Sequence, residues 1–315
     1  MPLKNFFRLL SMFLIVTSIL NSCKKEDEIV DNTDPIVKVY VNEINADSIK
    51  KNVEWLQNMG TRFALADNRK EVALKIKERF IRYGYASTTL DSFFITKTYR
   101  SVVYNTWQYN VIATLNGSVY EDNYYIVGGH YDCITYDDPL NNAPGANDNA
   151  SGVAAALEIA RVFNKNAFNP KNTIQFIAFA AEELGLYGSK DYAKKAYEQN
   201  KNILLMLNND MIAHWPTDNN FRVNIIDYDN SMDCRLMAET VCEKYTSLST
   251  NNDNTYQAYS DSYPFYQNGY KALFFISDAG DPYYHTINDL TSTKNFEFCR
   301  EVTKISCAML VEANK

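Results

Sequence analysis

The sequence predicts an α/β domain with a central twisted sheet, mixed but mostly parallel, covered by helices on both faces. Three observations predict it. Apolar runs alternate with helical patterns through most of the chain, which marks interleaved strands and helices rather than segregated ones. The strands read as continuous apolar runs, YYIV at 124–127 and TIQFIAFA at 173–180 among them, as strands buried on both faces do. A helix over 151–163 is apolar on almost every side and therefore belongs in an interior.

The elements follow in order from the amino terminus. Lys4 and Arg8 precede an uncharged apolar run, 9–20, which ends in Leu20-Asn21-Ser22-Cys23. The run is too short to span a bilayer as a mature helix and reads as a signal peptide over 1–22. Leu three places before Cys, with Ser directly before it, resembles the lipobox of bacterial lipoproteins. Cys23 is therefore expected to carry lipid and to anchor the chain in the cell envelope, facing the periplasm or the exterior. Residues 24–35, KKEDEIVDNTDP, are charged and poor in large apolar groups, so 23–35 reads as lipidated cysteine and flexible tether. From 36 to 315 the composition is uniform, with no repeat and no Gly/Ser/Pro-rich break, so one domain is expected.

Amphipathic helical patterns occupy 48–58 and 67–85, and strands are expected near 90–98 and 107–115. A short buried strand, 124–128, precedes the apolar helix. Strand 173–180, helix 188–199, strands 203–207 and 221–227, helix 232–245, helix 261–267, strand 272–277 and a terminal helix over 295–312 complete the series. Five cysteines follow Cys23, an odd number with no CxxC. Cys234 with Cys242, and Cys299 with Cys307, are eight apart in helical patterns and read as buried free thiols.

Removal of 1–22 takes away Lys4 and Arg8 and leaves 29 basic against 38 acidic residues, a net charge of −9. That balance gives no attraction for nucleic acid or anionic lipid, so membrane contact is expected through the anchor alone.

The chemistry falls at strand ends. His130 follows YYIVGG, Glu182 and Glu183 follow TIQFIAFAA, Asp210 follows ILLMLNN, and His285 lies soon after ALFFIS. Open α/β sheets bind ligands outside the carboxyl ends of their strands, so groups 155 residues apart can meet there. Asp148, at the start of the apolar helix, joins them. Two imidazoles with several carboxylates and no cysteine suit zinc or a similar divalent ion, and the carboxylates exceed what one catalytic ion needs. Two metals are implied.

These residues lie in GGHYD (128–132), PGANDNASG (144–152), AEELGLYGS (181–189), NNDM (208–211), SDSYPF (260–265) and HTIND (285–289). In order and spacing the blocks resemble the secreted two-zinc aminopeptidases of the bacterial leucyl aminopeptidase type, a zinc exopeptidase family, over about 47–312. The resemblance implies a zinc-exopeptidase-like fold, two Zn2+ ions and peptide substrates with a free amino terminus. It implies that His130 and Asp210 hold one metal, Glu183 and His285 the other, that Asp148 bridges them, and that Glu182 is the general base. Asp132 is expected to orient His130 from behind, Asp289 to do so for His285, and Tyr283 or Tyr284 to offer a hydroxyl to an oxyanion or substrate. His214, four residues after Asp210, has no counterpart in that ligand set and reads as a pocket-wall or structural residue. Many relatives carry His where this chain has Ser262, a departure that bears on the pocket rather than on the reaction. Two other readings share the fold: glutaminyl cyclases, with one zinc, and binding modules that have lost ligands. The intact ligand set favours the hydrolase.

Overall fold

The computed structural model describes residues 32–216 and 220–315. The signal peptide, Cys23 and most of the expected tether lie outside the described residues. In chain order the elements are α1 (Pro35–Val41), α2 (Ala46–Gln57), α3 (Arg69–Arg82), β1 (Thr89–Tyr99), β2 (Val102–Leu115), β3 (Tyr120–His130), α4 (Ala150–Lys165), β4 (Asn172–Phe179), α5 (Tyr187–Glu198), β5 (Asn202–Asn209), β6 (Arg222–Ile226), α6 (Met232–Tyr245), β7 (Ser249–Asn251), α7 (Ser262–Gln267), β8 (Ala272–Ser277) and α8 (Phe296–Glu312). Single 3-10 turns at Asn254–Tyr256 and Thr291–Thr293 complete them.

The eight strands form one mixed sheet in the order β1-β2-β4-β3-β5-β8-β6-β7. At its centre β4, β3, β5 and β8 run parallel, while β2 and β6 flank them antiparallel. The apolar runs explain why the sheet is sandwiched. Along β4 every residue is buried; Ile174, Phe176 and Ala178 face one layer of helices, and Ile177 and Phe179 the other. The first layer receives apolar residues from α1, α2, α3, α4, α6 and α8, the second from α5 and α7. Helix α4 is buried along nearly its whole length, with Ala at five positions that let it lie close to the sheet. The approach is closest where Gly152 meets the end of β5: a Cβ there would stand 1.9 Å from the Asn209 carbonyl oxygen, a contact that only glycine permits.

Three local features depart from the expectation. The Asp34 side chain caps α1 by accepting from the Ile36 amide at 2.8 Å, and Pro35 opens the helix, so order begins inside the stretch read as tether. The β1–β2 hairpin closes on Arg100 and Ser101, both at positive φ (47° and 66°), in the mirror-image turn geometry that matches strand twist. Neither is Gly or Asn, so the sequence carries no tight-turn signal there and predicts two strands with a gap. Strand β7 is only three residues long and has no apolar pattern of its own.

All five described cysteines are free; Cys133, Cys242, Cys299 and Cys307 are buried and Cys234 is half-buried. Burial pushes the Cys133 and Cys299 thiols up to about 12, which keeps them protonated and unreactive.

Candidate metal centre

Because β4, β3, β5 and β8 are parallel neighbours, their carboxyl ends open at one edge of the sheet, and each delivers a side chain there. His130 is the last residue of β3, Asp210 follows β5 directly, Glu182 and Glu183 come just after β4, and His285 lies on the loop after β8. Asp148 stands immediately before the Asn149 cap of α4, where the helix dipole favours a negative charge. The structure brings all six together. His130 Nε2 lies 3.3 Å from Asp148 Oδ1 and 3.5 Å from Asp210 Oδ1, while His285 Nε2 lies 3.1 Å from Asp148 Oδ2 and 3.0 Å from Glu183 Oε2. The two oxygens of Asp148 thus face two different histidine–carboxylate pairs. Glu182 Oε2 approaches His130 Nε2 at 3.9 Å. Ala181, Met211 and His285 hold left-handed backbone (φ 57°, 54° and 55°) within this loop cluster, strain of about 1–3 kcal/mol each that the surrounding packing must offset.

The donor set fits divalent cations. Asp210 Oδ1, Glu183 Oε1 and His285 Nε2 are buried without a hydrogen-bond partner, although oxygens and nitrogens of opposite character lie within 3.5 Å of two of them. Ligand atoms of His130, Asp148 and Glu183 all lie within 4.8 Å of one another, as do those of His130, Glu182 and Asp210. His130 Nδ1 sits 3.0 Å from the Asp132 carbonyl oxygen, which only accepts. That contact places the ring hydrogen on Nδ1 and leaves the Nε2 lone pair for a cation.

Without cations the cluster must share protons. Burial, with the charges of Glu183 and Asp261, pushes the Glu182 carboxyl well above its usual range against the pull of His130. Burial and Asp148 push Glu183 up to about 8, although His285 opposes them. Asp148 is the exception: burial works against its ionisation, but His130 and His285 outweigh it and hold the carboxyl well below its usual range. For His285 burial is likewise outweighed, by Asp148 and Glu183, and its pKa stands at about 10.

Behind these groups lies a shell that fixes them. The Asp132 carboxylate accepts from the amides of Glu182 (3.0 Å) and Glu183 (3.3 Å), so one residue steers both the His130 ring and the loop of the two glutamates. Ser260 donates to Asp210 Oδ2 at 2.6 Å and receives from Asn208 Nδ2 at 2.6 Å. Asp289 is a correction. It was expected behind His285, yet its oxygens accept from the amides of Asn147 (2.9 and 3.1 Å) and Asp148 (3.0 Å), so it supports Asp148. The backbone joins the same contact, the Asp289 carbonyl accepting from the Ala146 amide at 3.0 Å just before α4.

Sequence reasoning missed two buried cations. Lys294, with a side chain 0% exposed, bridges Asp289 (2.8 Å) and Asp281 (2.6 Å), and Asp281 in turn receives from Asn147 Nδ2 at 2.8 Å. Arg62 donates to the carbonyls of Tyr131, Pro144 and Gly145 at 2.7–2.8 Å, tying the loop after His130 to the loop before Asp148. Arg62 had a signal, being the one charge in the stretch 58–66; Lys294 had none. Asp261 is also buried beside the site and held up to about 7, chiefly by burial.

A cavity of about 510 Å³ opens beside the centre and includes His130, Asp148, Glu182, Glu183 and Asp210 in its wall. Tyr284 lines it and stacks on the His285 ring at 3.7 Å; Tyr283 is not among the lining residues and lies over Lys294. His214 stands 3.6 Å from Asp281, behind the centre rather than in it. Ser262 is buried against the Tyr228 hydroxyl at 2.9 Å and does not line the cavity.

Comparison with known proteins shows the family and the fold. A probable leucine aminopeptidase of Trichophyton verrucosum is 32% identical over 214 residues, 65% of this chain and 56% of that protein, so the match spans little more than half the relative's length. A zinc aminopeptidase from Bacillus subtilis superposes with a TM-score of 0.72 at 19% identity, covering 86% of this chain and 96% of that one. A glutaminyl cyclase from Fimbriiglobus ruber does so at 0.69 and 16%, covering 85% and 95%, and at these identities both show the fold alone. The model of peptidase family M28 matches residues 110–310, a span from β2 to α8 that contains every side chain gathered around Asp148, and the chain therefore belongs to that family.

Proposed function

We propose that this protein is an aminopeptidase that removes residues from the free amino ends of peptides with two zinc ions and Glu182 as general base. The observation that carries the reading is the two-sided Asp148, whose oxygens face His130 with Asp210 on one side and His285 with Glu183 on the other. These five residues would hold two divalent ions, which when bound would supply Lewis acidity to the attacking water and to the scissile carbonyl. The protein's own groups do the rest. Glu182, buried and with a raised proton affinity, takes the proton of the attacking water and returns it to the leaving amine. Tyr284 lines the pocket, its phenol kept protonated by burial and by Asp148, and in this reading it donates to the oxygen that gains charge. The surplus of carboxylates at the same edge suits a cationic amino terminus.

Metal content by elemental analysis, together with turnover of free and N-acetylated amino-acid anilides, tests the proposal. Two ions per chain, chelator-sensitive cleavage of free anilides and loss of cleavage on acetylation are expected. Cleavage of both at similar rates sinks the exopeptidase reading, and one ion with ring closure of N-terminal glutamine would favour the cyclase reading. We also propose that Cys23 anchors the enzyme to the envelope, on the support of its lipobox-like setting alone. Cys23→Ala is expected to move the enzyme from the membrane fraction to the soluble one with turnover retained.

A further inference from the structure

We propose that the pocket beside the metal centre selects a long side chain with a cationic end, that of lysine or arginine, at the substrate's amino-terminal residue, and that Asp253 meets the charge. The proposal rests on the aminopeptidase reading and names the substrate class of that site.

The strands beneath the pocket set its course. Its wall includes Met211, Phe274 and Ile276, and β8 places the last two beside β6, with Phe274 opposite Ile226 and Ile276 opposite Asn224. The pocket therefore leads from Asp210 at the end of β5 across β8 toward β6, two strand spacings or about 10 Å. This apolar stretch suits a chain of methylenes, and a leucine side chain would end well short of its far side.

At that far side stands Asp253, and its place is set by the sheet. Asn224 donates from Nδ2 to the Asp253 carbonyl at 2.8 Å and accepts the Asp253 amide at 2.7 Å. The same segment is held again where Gln257 Nε2 donates to the Asp227 carbonyl at 2.6 Å.

Charge then separates Asp253 from its neighbours. No Lys or Arg lines the pocket among the described residues. Asp278 is paired with Arg222, and Asp281 with Lys294. Asp253 has no cation among the described residues: the Thr255 amide (3.0 Å) and hydroxyl (2.6 Å) both donate to Oδ1, which leaves Oδ2 for a ligand. Those two hydrogen bonds hold its carboxyl below the usual range, so it is ionised at neutral pH. An ammonium or guanidinium at the end of an aliphatic stem satisfies both the apolar stretch and the lone carboxylate, whereas an acidic side chain meets repulsion there.

Anilides of lysine, norleucine, Nε-acetyl-lysine and glutamate on the zinc-loaded full chain test this. In kcat/KM, lysine is expected to exceed norleucine and Nε-acetyl-lysine by roughly fivefold, the ceiling for a solvent-exposed ion pair, with glutamate lowest and the lysine advantage shrinking in high salt. Asp253→Asn keeps the Thr255 contacts and is expected to erase the lysine-to-norleucine ratio; Asp253→Lys is expected to invert lysine against glutamate. Thermal stabilisation by lysinamide against norleucinamide gives a second readout that needs no turnover. If no anilide is cleaved but lysinamide stabilises the chain in an Asp253-dependent way, the peptidase reading fails and the selectivity stands. If norleucine matches lysine, or the ratio survives Asp253→Asn, the selectivity is overturned while the peptidase reading stands.

Discussion

Around Asp148 the polar side chains are buried and most have more than one partner, whereas across the pocket Tyr256 and Tyr259 stand 54% and 73% exposed on a segment held by a few amide contacts. The first region is made of strand ends, a helix start and two buried cations; the second of a three-residue strand and a 3-10 turn. The contrast teaches that the side chains gathered around Asp148 are fixed by groups whose removal leaves a buried charge, whereas the far wall of the pocket is held by neutral hydrogen bonds alone. A damaged centre should lose the reaction or the fold, and a damaged wall should change only preference.

The largest effect tests the centre itself. Glu182→Gln keeps shape and removes the proposed base, so on the proposed mechanism kcat is expected to fall by roughly 10²–10⁴ with metal content unchanged, while Glu183→Gln is expected to lose an ion and thermal stability. Elemental analysis and turnover on the same samples separate the two, and metal loss from Glu182→Gln alone would reverse the assignment. Next comes the shell. Lys294→Met leaves Asp281 and Asp289 buried without their cation, and about 3–5 kcal/mol of stability is expected to go, read as a fall in denaturant midpoint. An effect as small as a surface substitution would show that the shell is not rigid.

Acidity offers a third test. In the metal-free protein Asp148 and Glu183 raise the proton affinity of His285, and burial with Asp148 raises that of Glu183, so the pair keeps at neutral pH a proton that ions must displace. Protons therefore compete with metal: affinity is expected to rise with pH between 6 and 8, by up to about tenfold per pH unit for each proton displaced. Calorimetric heats of zinc uptake that vary with the ionisation enthalpy of the buffer would check the release directly. The smallest effect belongs to the wall. Asn224→Ala removes two hydrogen bonds to a half-exposed segment and is expected to cost about 1–3 kcal/mol while metal content is unchanged. Loss of metal from that variant would erase the distinction between the two regions.

Much of the centre was legible because its residues follow buried apolar strands, and strand ends converge in a parallel sheet whatever the sequence distance. The support was legible only where it stood beside a ligand in sequence, as with Asp132. Four residues of separation suggest that Asp289 serves His285, but its partners are amides 141 and 142 positions away, which no local spacing reveals. Lys294 pairs with residues 13 and 5 positions back in a loop without periodicity, so no pattern points to it. The hairpin at Arg100 and Ser101 and strand β7 were hidden for the same reason: their conformations come from pairing with neighbours and not from their own side chains.

Gly152 carries a consequence for how such a protein can change. Because its Cα rests on the Asn209 carbonyl, backbone against backbone, no side-chain adjustment makes room for a larger residue, and a saturation library selected for folded enzyme should return glycine alone at 152. The same library at 253, 256 and 259 should return many residues, each with its own ranking of substrates. Inheritance would then explore new diets through the pocket wall while the joint between α4 and β5 stays as it is.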